Sequence, residues 1–480
     1  MSIIKRASLA LAATAALTAT AEAGGFSRGS ANLDGLYASE YVNEPIISSL
    51  GVTYVNPGRS YDTITGIIPT GQVQFDPATG APLINPATGQ PVVAGTGIAF
   101  VDTDVEFGED FAVPFASVGL KFGDRAQCVG SYSQPYGADS AYSGSVEFFI
   151  QSQSIDSREL GATCSVGFDV GRGRAYAIGG LFHERLEYNQ ARDFRAIDAA
   201  AVDGVASGAI APGTIPPGVF LGATDVSRIA VDDTTIGYRL GAAYEIPEIA
   251  LKASLIYRSE TEYDDIRGTF SGTPFAGIFR GRAGALQAQA RQAALAGNAD
   301  LAAQLGAAAL QQAGFSAAAG TSQTSTATAQ ATLPRQLELN VQSGVAPGTL
   351  VFGSVKWTDW SVIERIDLVD QFSGAAFTNF EGFFRDGYTV TLGVGRAFNE
   401  ELAGSLSLTY DRGVGTGFDT FTDTYTVAGG VAYDLNEIAN IRAGGAVIYF
   451  TDGEKTQGDF LATSDDEFGY ALSTSLNIKF

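Results

Sequence analysis

The 480-residue chain contains one histidine, one methionine, two cysteines and two tryptophans. So few imidazoles and thiols leave almost nothing with which to build a zinc or thiolate site. Charge is scarce as well, at 17% of residues, and most of it is of one sign. The 29 Lys and Arg stand against 52 Asp and Glu for a formal charge of −23. That balance excludes nucleic-acid binding through a basic surface. After the first residues no apolar run approaches the roughly 18 positions that a membrane-spanning helix requires. The acidic run Asp465-Asp466-Glu467 has no defined oxygen-ligand spacing and reads as a solvated loop, so neither a metal nor a cofactor is expected.

The abundant residues are glycine (59), phenylalanine (30) and tyrosine (19). Length alone would suggest two or three soluble domains, but this composition fits strands and turns meeting lipid. Residues 1–23 read as a signal peptide: Lys5-Arg6, an apolar stretch from Ala7 to Leu17, and the small-residue cleavage site Ala21-Glu22-Ala23.

A period of two fills the remainder. Phe468, Tyr470, Leu472, Thr474, Leu476, Ile478 and Phe480 alternate with small or polar residues to the end of the chain, long enough to cross a bilayer at a tilt. Ile236, Tyr238, Leu240, Ala242 and Tyr244 alternate with Arg239 and Glu245; Leu251, Leu255 and Tyr257 alternate with Lys252 and Arg258. If the apolar set faces lipid, the charges share one lumen, and in hydrocarbon such strands are stable only as a closed barrel. The expected fold is therefore all-β: a transmembrane antiparallel β-barrel of about 14 strands, with both ends periplasmic. Residues 24–48 are expected to form a short N-terminal plug and 49–480 the barrel, with long extracellular loops near 58–112, 190–230 and 264–332. The first loop carries a repeated turn, Asp76-Pro77-Ala78-Thr79-Gly80 and Asn85-Pro86-Ala87-Thr88-Gly89. The second has apolar stretches such as Pro217-Gly218-Val219-Phe220-Leu221, and the third, over 281–318, reads as one or two helices broken near Gly297-Asn298. These loops either gather ligand or simply pack over the barrel mouth.

Several short elements in order resemble the FadL/TodX family of outer-membrane transporters of long-chain fatty acids and other hydrophobic compounds. They are Gly24-Gly25-Phe26 after the signal, Ser133-Gln134-Pro135-Tyr136-Gly137 on the third strand, and Tyr257-Arg258-Ser259-Glu260 on the seventh. Leu333-Pro334 opens the eighth, Lys356-Trp357-Thr358-Asp359-Trp360 lies on the ninth, and Phe480 ends the chain. The resemblance implies a monomeric 14-stranded barrel in the bacterial outer membrane, among its lipid and lipopolysaccharide. It further implies a lumen pocket for a hydrophobic ligand and sideways exit where the third strand kinks. Pro135 lacks an N–H and Gly137 adds a soft spot, so the pair is either a lateral gate or the end of a strand above the membrane. Only about 25 residues precede the first strand, a plug shorter than the family's, and its Asn-Pro-Ala element is not evident.

A fatty acid needs an apolar slot and one cationic anchor. Burying a C16–C18 tail is worth at most ~13 kcal/mol at about 0.8 per CH₂, whereas a charge-assisted hydrogen bond adds roughly 1.5–3 kcal/mol. The tail sets affinity and the anchor orientation, and arginine suits the anchor because its fork matches a carboxylate. Arg185 lies roughly where the family places an anchoring arginine; Arg239, Arg258 and Lys356 are the other candidates. Each has a carboxylate that would neutralise it instead (Glu187, Glu260, Glu245 or Glu338). Phe182, Trp357, Trp360, Phe383 and Phe384 are candidates for the slot or for the aromatic girdle. Cys128 and Cys164 fall on neighbouring strands with apolar parity and are either a disulfide or two buried thiols.

Enzyme function is not expected. Gly25-Phe26-Ser27-Arg28-Gly29 formally matches a nucleophile elbow, but no strand precedes it and no helix follows; His183 is the sole possible base. A general or substrate-selective diffusion porin is the stronger alternative.

Overall fold

The computed structural model describes residues 26–36, 45–68, 72–73, 93–94, 98–193, 226–272, parts of 283–298, and 299–319, 323–371 and 376–480. The signal segment, the two Pro-Ala-Thr-Gly turns, residues 37–44 of the expected plug and the apolar stretch 217–221 lie outside these.

Fourteen antiparallel strands close into a barrel. Nine are continuous: β1 (Ile46–Asn56), β2 (Phe111–Phe122), β4 (Ser152–Val170), β5 (Gly173–Asp193), β6 (Val226–Ile246), β11 (Leu402–Asp411), β12 (Thr424–Asp434), β13 (Ala439–Phe450) and β14 (Glu467–Lys479). The other five run in two pieces: β3 (Ala126–Ser133, Gly137–Ala141), β7 (Leu251–Arg258, Thr261–Gly272), β8 (Gln323–Leu333, Gln336–Ala346), β9 (Thr349–Thr358, Arg365–Asp370) and β10 (Ala376–Glu381, Gly387–Ala397). β14 closes the wall on β1, from Ile47 opposite Lys479 to Asn56 opposite Tyr470. Phe480 and Ile46 exchange backbone hydrogen bonds at the seam.

The alternation sets the two faces. Phe468, Tyr470, Leu472 and Leu476 of β14 are exposed outward, while Ala471, Ser475 and Asn477 are buried inward. A closed ladder pairs every backbone group that would otherwise face hydrocarbon. Inside, Leu33 and Leu36 of the N-terminal segment pack on Val129, Tyr176 and Ile178 of the wall.

Several strands outrun the boundaries expected from sequence. β5 reaches Asp193, β7 reaches Gly272 and β8 begins at Gln323. The added part of β8 alternates Thr with Ala, and Ala327 and Ala329 are buried; this low-contrast pattern reads as loop until it is paired. Part of the first long segment is likewise strand. Ser60–Ile68 and Ile98–Glu106 join Gly453–Lys455 and Phe460–Ser464 of the β13–β14 connection in a separate four-stranded sheet. Its core holds Tyr61, Ile64, Phe100, Phe149 and Phe460. In the third segment, helix α1 (Ala299–Ala319) follows helical residues between 283 and 295, broken at Gly297 as expected.

Candidate functional site

The wall has a window between β2 and β3. β2 pairs with β1 along nearly its whole length, but with β3 only from Ala116 opposite Tyr132 to Phe122 opposite Ala126. Pairing resumes above, where Gly108 bridges Ser140. Between these points β3 is interrupted at Gln134–Tyr136, and Pro135 offers no N–H to a ladder. The strand continues at Gly137, so Pro135 does not mark its end. On the other side β3 stays attached to β4. Ser133 pairs with Glu159 and Gly137 with Asp156, and the Ser157 N–H donates to the Tyr136 carbonyl at 2.9 Å.

The N-terminal segment fills the window. Arg28 donates its N–H to the Pro135 carbonyl at 2.9 Å, and the Gly137 N–H donates to the Phe26 carbonyl at 2.7 Å. The Arg28 guanidinium lies 2.5 Å from Asp139 and 3.0 Å from Asp156, over the Phe111 ring. A Cβ at Gly137 would come within 2.5 Å of that guanidinium and push it off its carboxylates. The nucleophile-elbow match is thus a pairing segment, and His183 sits on the outer face.

The inward residues of β5 divide the lumen into layers. Tyr176 and Ile178 meet the N-terminal segment. Phe182 and Glu184 follow, in a buried charge cluster. Arg258 contacts Glu184 at 2.8 Å and Glu159 at 3.3 Å, while Arg239 pairs with Glu159. Both guanidiniums stack on the Phe182 ring, at 4.4 and 4.7 Å. Leu186 then enters a large apolar zone with Tyr136, Tyr263, Leu333 and Trp360. Phe26 is set within it, its ring 5.3–5.8 Å from those of Phe421, Phe384, Phe380 and Trp360. Last come Tyr188, Gln190 and Arg192. Among the described residues the Tyr188 hydroxyl, Gln190 Oε1 and Arg192 Nε are buried without a hydrogen-bond partner, and Arg192 also bonds Thr378.

A family profile described as "Outer membrane protein transport protein (OMPP1/FadL/TodX)" matches residues 14–450. This chain belongs to the FadL/TodX family. It is accordingly an outer-membrane channel protein for hydrophobic compounds and not an enzyme. No curated protein matches it in sequence. In fold it is similar to a Pseudomonas aeruginosa FadL homologue, with 14% identity, TM-score 0.59, and 93% of this chain and 95% of that one covered. It is also similar to the Pseudomonas putida toluene transporter TodX, with 12% identity, TM-score 0.51, and coverage of 96% and 98%.

Within this FadL/TodX barrel the expected site residues divide. Arg239, Arg258 and Phe182 come together in the lumen, and Trp360 adjoins them through Tyr136, its ring 5.5 Å away. Lys356 is also buried inward, and Asp411 is its electrostatic partner. Arg185 is not in the lumen. It shares parity with exposed Leu181, is 45% exposed, and pairs with Glu187 and Asp232 on the outer rim. A one-residue displacement on a strand reverses the face, and the inward neighbour is Glu184. Trp357 is also off the lumen face, donating its indole N–H to Asp386 at 3.0 Å. Phe384 is buried in the apolar zone, whereas Phe383 is exposed.

Of the expected neutralising carboxylates, Glu187 does pair with Arg185, on the outer rim rather than in the lumen. Glu159 and Glu184 serve Arg239 and Arg258. Glu245 bonds Tyr176, Glu338 accepts from Asn340, and Glu260 lies 3.9 Å from Arg335. Sequence reasoning missed Glu159, Tyr136, Phe26 and Arg192; the parity of Glu184, Gln190 and Arg192 with Phe182 was the available signal. Cys128 and Cys164, directly opposed on β3 and β4, form a disulfide on the lipid-facing side.

Proposed function

We propose that this protein takes up long-chain fatty acids or similar amphiphiles, holds the tail in the apolar zone around Phe26 and Trp360, and releases it sideways through the window in β3. One observation carries the reading: the window adjoins the apolar zone, and a single segment, Phe26–Arg28, occupies both. Withdrawal of that segment would vacate an aromatic-lined slot and unblock the wall in one motion. The window begins one residue pair above Leu160, beyond which Arg158, Arg185 and Glu187 face outward. Cargo would therefore leave at the level where lipid and lipopolysaccharide headgroups meet the outer leaflet. Residues 24–48 act as the plug, and the single closed barrel works as a monomer.

Tyr188, Gln190 and Arg192 are the head-group end of the slot. A buried donor without a partner costs roughly 1–3 kcal/mol, a cost that an oxygen-bearing head removes. This polar end favours an acid over a hydrocarbon cargo such as toluene. The test is equilibrium binding of a labelled C16 fatty acid to the purified protein, beside Arg192→Gln. Saturable binding that weakens about tenfold in the variant, as expected for a lost charge-assisted bond, supports the reading. No saturable binding, together with ion conductance, returns the porin.

A further inference from the structure

We propose that Tyr136 is the latch of the window in β3, and that Arg258, clamped between Glu159 and Glu184, is the keeper that receives it. The inference rests on the reading of that window as the exit.

Of the three residues in the break, Tyr136 is the one whose side chain crosses the interior. It is fully buried, and its hydroxyl donates to the Pro334 carbonyl at 2.8 Å, in the interruption of β8 across the lumen. The same oxygen accepts from Arg258 Nη1 at 3.4 Å, and the Arg258 guanidinium lies 5.1 Å from the ring centroid. On its backbone side Tyr136 bridges Ser27, so the latch and the N-terminal segment meet at one residue.

The keeper is built to stay fixed. Glu159 stands directly opposite Glu184 in the β4–β5 ladder, a juxtaposition of like charges that is unfavourable by itself. Arg258 bridges both carboxylates, Arg239 donates a second bond to Glu159, and the Thr261 hydroxyl donates to Glu184 at 2.8 Å. Two arginines and two glutamates leave no net charge. A planar guanidinium held by two carboxylates and stacked on Phe182 has little freedom left. The latch side, by contrast, is one hydrogen bond to a carbonyl, one long bond to Arg258 and ring packing on Trp360. Arg258 meets two full negative charges at 2.8 and 3.3 Å but the neutral Tyr136 hydroxyl only at 3.4 Å, so under load Tyr136 parts from the keeper before the keeper comes apart. Tyr136 and Arg258 are thus positioning residues: they hold the wall segment and touch cargo only incidentally.

The experiment places a single reactive thiol at Ser27, which is buried at the window, in the full-length protein with the native disulfide intact. The rate of its modification by a small methanethiosulfonate is followed in bilayers without cargo. Tyr136→Phe keeps the ring and removes the hydroxyl; its expected effect is a rise of about fivefold or more, the scale of one net hydrogen bond. The double variant Arg258→Gln/Glu184→Gln keeps the charge sum and should raise the rate in the same direction, covering the case in which Tyr136→Phe does not fold. Tyr238→Phe, on the lipid face, should leave it unchanged. A wild-type rate in folded Tyr136→Phe overturns the latch. A raised rate with no faster transfer of labelled fatty acid into the bilayer upholds the latch and removes lateral release instead.

Discussion

At the scale of a single residue, Arg258 ties two fully buried glutamates together. Without it, Glu184 keeps Thr261 and loses its charge partner in a buried layer. Arg258→Ala is expected to cost about 3–5 kcal/mol in the urea unfolding of the refolded barrel, because a buried charge is left uncompensated. Arg258→Gln/Glu184→Gln should cost clearly less; equal losses would mean that packing, not charge, dominates. Arg185→Ala is the contrasting case. Its pairs are on the exposed rim and such pairs contribute about 0–1 kcal/mol, so stability and fatty-acid binding should both be unchanged within error. The sequence showed that arginines alternate with apolar residues on these strands, which places Arg239 and Arg258 correctly. It did not show which residue of Phe182-His183-Glu184-Arg185 points inward, since either parity offers one charge and one ring or imidazole.

A second residue sets a pH dependence. Asp419, in the β11–β12 connection, is pushed up to about 6, chiefly by burial, although its Oδ1 accepts the Phe421 N–H at 2.7 Å and Lys455 lies nearby. Burial lowers Lys455 in turn. The folded state holds a proton that the unfolded chain has shed above about 4, so this group makes stability fall as pH rises from about 4 to 6. Asp419→Asn, which preserves the acceptor for Phe421, should flatten that part of the curve of unfolding midpoint against pH. An unaltered slope would assign it to other carboxylates.

At the scale of the element, the informative features are interruptions. Pro135 and Gly137 announced a break in β3, and Leu333-Pro334 one in β8. The sequence gives no comparable sign that Tyr136 joins those two breaks, because the contact spans 198 positions. The Thr-Ala part of β8 was equally hidden: threonine and alanine differ too little in polarity for a period of two to stand out, and only pairing with β7 reveals it. The disulfide belongs to this scale as well. It closes a separation of 36 residues, for which chain entropy gives about 3–4 kcal/mol. Cys128→Ser/Cys164→Ser should lower the unfolding midpoint by a corresponding amount while leaving fatty-acid binding intact; a collapse of binding would give the bond a place in gating.

For the whole molecule, composition and alternation were enough to give the barrel, its strand number and its membrane, because each lipid-facing strand must repeat the same pattern. The separate four-stranded sheet was not legible. It combines pieces of two connections almost 400 residues apart, Ile64 pairing with Ala462, and no local period encodes such a meeting. The interior layers bear on transport as a whole. With Leu33, Leu36 and the charge cluster stacked below the apolar zone, wild-type protein in planar bilayers should show little steady conductance. Removal of residues 24–36 should produce open steps; persistence of the closed state would show that the charge cluster alone blocks the axis.

The placement of Cys128 against Cys164 has a consequence for assembly. Both sulfurs lie outward, and on paired strands a slip of one residue would turn one of them into the lumen. The bond therefore fits the one register of the lower β3–β4 ladder in which both sulfurs face outward, and a hairpin misaligned by one residue would be left with two free thiols.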